Sequence, residues 1–213
     1  MMEEDKEMTD DFPEWLNELS RKNIILDLGG GAPFQGQLKS EKIQEGSKYY
    51  CMDFCADFKP HILGDIQMLP FKDKSVDGIY CEAVLEHVPE PWVAIKEMYR
   101  ILRSGGLLLV YVPFMFPYHG GKEFRDYYRF SNDAIQHMFK EFSQIKVSSA
   151  GGYINATLRF MTGFMTFQRY LLRWEKWISA FFNNFFDEAK KEYPNRFEGL
   201  AKSTTGYGVY AIK

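Results

Sequence analysis

Cysteine is scarce in this 213-residue chain: there are three, Cys51, Cys55 and Cys81. An odd number in or beside expected strands argues against a disulfide framework and predicts reduced thiols in the core of a cytoplasmic protein. Cys51 and Cys55 could form half a metal site. No second cysteine or histidine pair stands at ligand spacing, so no metal is expected. Charge of one sign is also lacking. A net charge of −3 gives no reason to expect a nucleic-acid partner. Long apolar runs are absent. The longest, Leu107 to Phe116, is ten residues and contains Pro113, which reads as a buried strand and its exit rather than a membrane span. Met1 to Asp11 is acidic and polar, the opposite of a signal peptide. There are no repeats and no low-complexity tracts.

What remains is a chain long enough for one α/β domain with a real core and a small helical addition. Hydrophobic residues make up 46%, an ordinary share, and aromatics 17%, a high one concentrated in the second half. Asp11-Phe12-Pro13-Glu14 looks like a helix start, running to about Ser20. Strands are expected at Asn23–Leu28, Lys48–Asp53, His61–Gly64, Gly78–Cys81, Leu107–Val112, Gln144–Ser149 and Tyr207–Ile212. A short helix should precede the second strand. Apolar residues at helical spacing predict a helix over Pro91–Leu102, stopped by Ser104-Gly105-Gly106. Ser131-Asn132-Asp133 caps another, ending near Lys140. Strand–helix alternation of this kind means a mostly parallel sheet with helices on both faces.

One stretch breaks the alternation. Phe160, Phe164, Phe167, Leu171, Trp174, Ile178, Phe181 and Phe185 are spaced alternately by four and three, an amphipathic helix or two with a break near Gly163. It suits a helical insert packed on the sheet, a lid, a dimer seam or a helix lying on a membrane surface. The expected organisation is a leader and helix over 1–22, an α/β core over 23–152, an aromatic-rich insert over 153–204, and the last core strand over 205–213.

The chemistry gathers at strand ends. Ile24-Ile25-Leu26-Asp27-Leu28 runs into Gly29-Gly30-Gly31, a turn that lets backbone approach a ligand closely. A dinucleotide fingerprint would need a third glycine where Phe34 stands. Asp27 beside the turn would repel phosphates and suit a ligand bearing positive charge. Asp53 ends the second strand, where a carboxylate accepts ribose hydroxyls. Asp65 follows the third, where it can accept from an exocyclic amine or simply cap a turn. Together these acids describe a cationic ligand with ribose and adenine and no phosphate.

These residues resemble the motifs of class I S-adenosylmethionine-dependent methyltransferases. Leu26-Asp27-Leu28-Gly29-Gly30-Gly31 is similar to the family's D-x-G-x-G motif. Leu69-Pro70-Phe71-Lys72-Asp73-Lys74-Ser75-Val76-Asp77 is similar to its approach to the fourth strand, and Val84-Leu85-Glu86-His87-Val88 to its vLEHv segment. Glu97 to Gly106 is similar to its E-RvLkPGG helix end, with Ser104 replacing proline. The likeness is close from Ile24 to about Val112. Pro33, Pro113-Phe114, Tyr118-His119-Gly120 and Asp126 to Ser131 further resemble a subgroup often associated with surface-glycan biosynthesis. The resemblance implies a Rossmann-like seven-stranded, mostly parallel sheet with a helical insert before the last strand. It implies S-adenosyl-L-methionine as cofactor, held by Asp27, Gly29, Gly31, Asp53, Asp65, Ile66 and Glu82.

The acceptor side is more open. A hydroxyl nucleophile is helped by a base, for which His119 is the first candidate and His87 the second. His119 could equally be an exposed loop histidine, and His87 could order the loop after the fourth strand. Asp126, Tyr127, Tyr128 and Arg129 could shape a pocket for a carboxylate, phosphate or sugar, or form a packed loop with a satisfied Asp–Arg pair. The expected function is transfer of a methyl group to a small-molecule or glycan-related acceptor at oxygen, in the cytoplasm or at a membrane surface. The alternatives are a non-catalytic binding or scaffold protein that uses the aromatic insert, and a nicotinamide-dependent oxidoreductase, against which Asp27 and Phe34 argue.

Overall fold

Near-continuous apolar runs at Ile24–Leu28 (β1) and within Leu102–Pro113 (β5) call for burial on both faces, the signature of central strands in a covered parallel sheet. The structure, a computed structural model, describes residues 11–32, 37–38, 42–150 and 204–213. The other strands are Lys48–Asp53 (β2), Ile62–Leu63 (β3), Val76–Glu82 (β4), Gln144–Ala150 (β6) and Gly206–Ile212 (β7). They form one seven-stranded sheet in the order β3-β2-β1-β4-β5-β7-β6. β1 to β5 are parallel, and β7 is antiparallel to both β5 and β6.

Helices cover both faces. Helix α1 (Phe12–Leu19) has proline in its first turn and buries Phe12, Trp15, Leu16 and Leu19. These side chains join Ile25, Tyr80, Leu107, Leu109 and Tyr210 on one side of the sheet. Helix α2 (Pro91–Ile101) buries Ala94, Ile95, Met98 and Ile101 on the other side, with Leu26, Leu28, Ile79, Leu108 and Val110. Ile135, from helix α3 (Asn132–Met138), joins that second core. The strand alternation explains the split: Ile25 faces one core, and Leu26 and Leu28 the other.

Several boundaries differ from the sequence pattern: β4 and β5 start earlier than expected, at Val76 and Leu102. Helix α2 ends at Ile101, before Ser104-Gly105-Gly106, because Leu102 is already extended and pairs with Val76. The register then shifts, so that Gly78 pairs with Leu107. Arg103 reaches back to Asp77 at 2.6 Å across that irregularity. The end of α2 is closed instead by Lys213, whose Nζ donates to the carbonyls of Tyr99 (2.6 Å) and Leu102 (2.8 Å). Helix α3 stops at Met138 rather than Lys140. The leader to Asp10, most of the segment expected to hold a short helix before β2, and nearly all of the expected insert over 153–204 lie outside the described residues.

Candidate functional site

Strand order reverses between β1 and β4, so their carboxyl ends open a crevice at the switch point. β1 delivers Gly29 and Gly31 there, both at positive φ (72° and 65°), where a side chain would be strained. A Cβ on Gly29 would run into the side chain of Val84, just past β4, and one on Gly30 would meet the Asp27 carboxylate at 2.7 Å. The turn is therefore bare because it is wedged between β4 and an acid.

That acid is buried, only 1% exposed. Asp27 Oδ2 accepts from the Tyr49 hydroxyl at 2.6 Å. Its Oδ1 is buried without a hydrogen-bond partner among the described residues. Burial pushes the carboxyl up to about 6, against the pull of Tyr49 and helped by the nearby charges of Glu82 and Asp53. Asp53 clamps the other side of the turn: Oδ2 accepts the Gly31 N–H at 3.0 Å and Oδ1 the Cys55 N–H at 2.9 Å. Cys51 also packs here, its Sγ donating to the Gly31 carbonyl at 3.2 Å. Glu82 accepts from the Gln37 backbone and side chain (3.2 and 3.1 Å) and from the Tyr80 hydroxyl (2.6 Å).

Asp65 follows β3 on the same edge of the sheet. It is exposed, and its Oδ1 accepts the Gln67 N–H at 2.8 Å, so the turn-capping role is in place. Its neighbour Ile66 is buried in the core. Asp27, Gly29, Gly31 and Asp53 are thus brought into direct contact or near contact. Glu82 borders them and Asp65 stands further out. An orphaned carboxylate oxygen beside a bare turn fits a ligand with an ammonium group, which is the donor set that the methionine end of S-adenosylmethionine offers.

A second cluster forms where the turn after β4 meets the loop after β5. Leu85–His87 is a single 3-10 turn, and its Glu86 carbonyl accepts the N–H groups of Tyr127 (2.7 Å) and Tyr128 (3.2 Å). Arg129 spends all five of its N–H donors within the protein: on Phe116 O, Tyr128 O, Pro117 O and both oxygens of Asp126. The guanidinium holds Asp126 down at about 2. Asp126 and Arg129 are therefore the packed-loop pair, and no donor is left over to seize an anionic acceptor. The Tyr128 hydroxyl is taken by Pro89 O at 2.7 Å, and the Tyr127 ring is exposed.

His119 is partly buried rather than a free loop histidine. Its backbone N–H donates to Asp126 Oδ2 at 2.8 Å, and its Nε2 lies 3.5 Å from Glu86 Oε1, which raises its pKa. His87 stands 3.9 Å from the same oxygen, and its Nδ1 is 2.6 Å from Arg125 O. The sequence pattern singled out neither Glu86 nor Tyr49 nor Gln37 as a functional residue. Glu86 had a signal, an acid between Leu85 and Val88 in an apolar stretch.

Residues 26–110 match the family described as "Methyltransferase domain". An uncharacterized methyltransferase of Mycobacterium avium (strain 104) is 28% identical over 188 residues, 76% of this chain and 72% of the relative. Several further curated methyltransferases are matched over only about half of their length. A solved S-adenosylmethionine-dependent methyltransferase from Archaeoglobus fulgidus superposes with a TM-score of 0.60 at 12% identity, over 95% of this chain and 91% of its own. Phosphoethanolamine N-methyltransferase 2 of Haemonchus contortus, solved with phosphomonomethylethanolamine and S-adenosylhomocysteine, gives 0.59 at 15% identity, over 94% of this chain and 52% of its own. At such identities the structures speak for the fold alone. The match and the glycine-turn crevice point the same way: residues 26–110 are similar to the methyltransferase domain family, and S-adenosylmethionine is the cofactor that the crevice fits.

Proposed function

We propose that the chain is an S-adenosylmethionine-dependent methyltransferase acting on a small-molecule or glycan-related acceptor, methylated at oxygen. The observation that carries the cofactor half is the positive-φ turn Gly29–Gly31, clamped by Asp53 and floored by the half-unpartnered Asp27. Gly29 and Gly31 would lie along the methionine end, Asp27 would receive its ammonium, Asp53 the ribose, and Asp65 with Ile66 the adenine. Glu82 is engaged with Gln37 and Tyr80 and would shape the crevice wall. When bound, the cofactor supplies a methyl group activated on a sulfonium, and the protein supplies position and a dry site. His119 Nε2 would take the acceptor's hydroxyl proton, with Asp126 Oδ2 3.4 Å from the ring's other nitrogen.

Calorimetric titration with S-adenosylhomocysteine tests this reading. Binding in the micromolar range, lost in Gly29→Val and in Asp53→Ala, supports it. Normal binding by both variants removes the site. A non-catalytic binding or scaffold protein is the alternative. Cofactor binding without methylation of any acceptor in a broad extract would favour it. We also propose a cytoplasmic location, no nucleic-acid partner, and contact with a membrane surface or a second copy through 160–186, a stretch outside the described residues. Among the described residues no helix is long and apolar enough to cross a membrane. Flotation with anionic vesicles tests the surface contact, and recovery only in the unbound fraction ends it.

A further inference from the structure

Glu86 is fully buried, and both of its carboxylate oxygens lack a hydrogen-bond partner among the described residues. A buried carboxylate in that condition is costly unless a cation meets it. Among the described residues the groups that pair with it within 4 Å are two imidazoles, while the Arg129 guanidinium acts on it only through its charge and spends its protons elsewhere. His87 Nδ1 lies 2.6 Å from the Arg125 carbonyl, which can only accept, so Nδ1 carries the proton and Nε2 a lone pair. The same holds for His119. Its Nδ1 lies 3.1 Å from the Pro117 carbonyl and 3.4 Å from Asp126 Oδ2. Arg129 Nη2 is also within 3.3 Å, but both of its protons go to the shorter contacts with Pro117 O and Asp126 Oδ2. Two imidazole lone pairs therefore face one unpartnered carboxylate.

A single proton can relieve one of these contacts and not both. A metal ion relieves all three. The ligand atoms of Glu86, His87 and His119 lie within 4.8 Å of one another, with Nε2 of His119 and of His87 at 3.5 and 3.9 Å from Glu86 Oε1. Tetrahedral ligands at about 2.0–2.1 Å from zinc stand roughly 3.4 Å apart, so small side-chain shifts close the set. The outer shell is also of the right kind. Each histidine donates its far N–H to a backbone carbonyl, the arrangement that fixes the tautomer of a metal-bound imidazole. Two nitrogens and one carboxylate suit zinc and its transition-metal neighbours better than magnesium, and three protein ligands leave a position open.

We propose that Glu86, His87 and His119 bind one divalent ion of the zinc type, with an open position that receives an oxygen of the methyl acceptor. The oxygen half rests on the methyltransferase reading above. The metal half does not. With the ion in place Nε2 of His119 is a ligand, and the acidifying of an acceptor hydroxyl passes from a base to the metal.

The test uses untagged full-length protein, stripped with a chelator and titrated with Zn2+ alone against a chromophoric zinc indicator. One equivalent should bind tightly. Glu86→Gln and His119→Asn should each weaken that affinity by at least about 10-fold, the loss that even outer-shell changes cause. Co2+ in place of Zn2+ should give the intense visible bands of a four- or five-coordinate site in the wild type, which tests the proposal even if a variant folds poorly. S-adenosylhomocysteine titrations of the same samples report folding and the cofactor reading separately. Zinc uptake without nucleoside binding would leave the metal site standing and remove the methyltransferase reading. No stoichiometric uptake by the wild type, or uptake that Glu86→Gln and His119→Asn leave unchanged, overturns the metal site.

Discussion

Asp53 Oδ2 accepts the backbone N–H of Gly31 at 3.0 Å, tying the end of β2 to the turn after β1. Its Oδ1 holds the Cys55 N–H at 2.9 Å, so one carboxylate sets two loops. Both are charge-assisted bonds in a buried place, where a lost partner leaves a donor unpaired. Asp53→Ala should cost roughly 2–6 kcal/mol in urea unfolding, from two such donors at about 1–3 kcal/mol each. Asp53→Asn keeps only one oxygen acceptor and should fall between. An Asp53→Ala protein as stable as the wild type would mean that the turn holds its shape without this clamp.

Gly29 and Val84 form a second dependency. An alanine at position 29 meets two obstacles, a φ of +72° and the Val84 side chain. The first costs about 1–2 kcal/mol wherever it occurs. The second is removable. Gly29→Ala/Val84→Ala should therefore be less destabilised than the sum of its single variants, with Gly29→Ala costing about the backbone term alone on top of the packing lost in Val84→Ala. Strict additivity in a double-mutant cycle would show that Val84 yields freely.

Most of this architecture is legible in the sequence. β2 runs Lys48–Asp53 as the alternation predicts, and the three strand-end acids mark the right edge of the sheet. The misses share a cause. β4 begins at Val76 rather than Gly78 because Asp77, a poor strand former, is held by the Ile24 N–H (3.1 Å) and by Arg103. Partners so distant in the chain leave no local trace. The sequence leaves Arg129 open between a pocket and a packed loop, because type and neighbours cannot reveal that three carbonyls and Asp126 already use its donors. Glu86 was hidden in a motif, and its lack of a hydrogen-bond partner among the described residues is a property of packing alone.

Asp27 makes the site pH-dependent. Its carboxyl titrates at about 6 in the folded protein against 3.8 unfolded, because burial disfavours the charge. The native state therefore holds the extra proton between those values, and this group's contribution to stability falls as pH rises through the window. At neutral pH the penalty is about 3 kcal/mol, at 1.36 kcal/mol per unit. Asp27→Asn should be more stable than the wild type at neutral pH, less a fraction for its unpaired amide N–H. The gain should vanish as pH falls toward 4. Affinity for S-adenosylhomocysteine should move oppositely: it should weaken in the wild type below about 6 and be low and flat in Asp27→Asn. Tyr49→Phe removes a bond that favours the charge, so the midpoint should rise. A wild type and Asp27→Asn with parallel stability profiles would place the charge elsewhere.

Arg129 and Asp126 titrate in the other direction. The guanidinium fork holds both Asp126 oxygens, at 2.5 and 2.6 Å, and keeps that carboxyl at about 2, below 3.8 when unfolded. A depressed acid stabilises the fold above its unfolded value, and the contribution disappears as pH falls through the folded one. A lysine at 129 offers a point charge in place of the fork and cannot also satisfy Phe116 O and Pro117 O. Arg129→Lys should therefore lower the thermal midpoint at neutral pH, and the gap should narrow between about pH 4 and pH 2. What survives at the acid end measures the lost carbonyl bonds, which carry no titratable partner. A gap that stays constant down the whole range would mean that the carbonyls, rather than Asp126, are what Arg129 is there to hold.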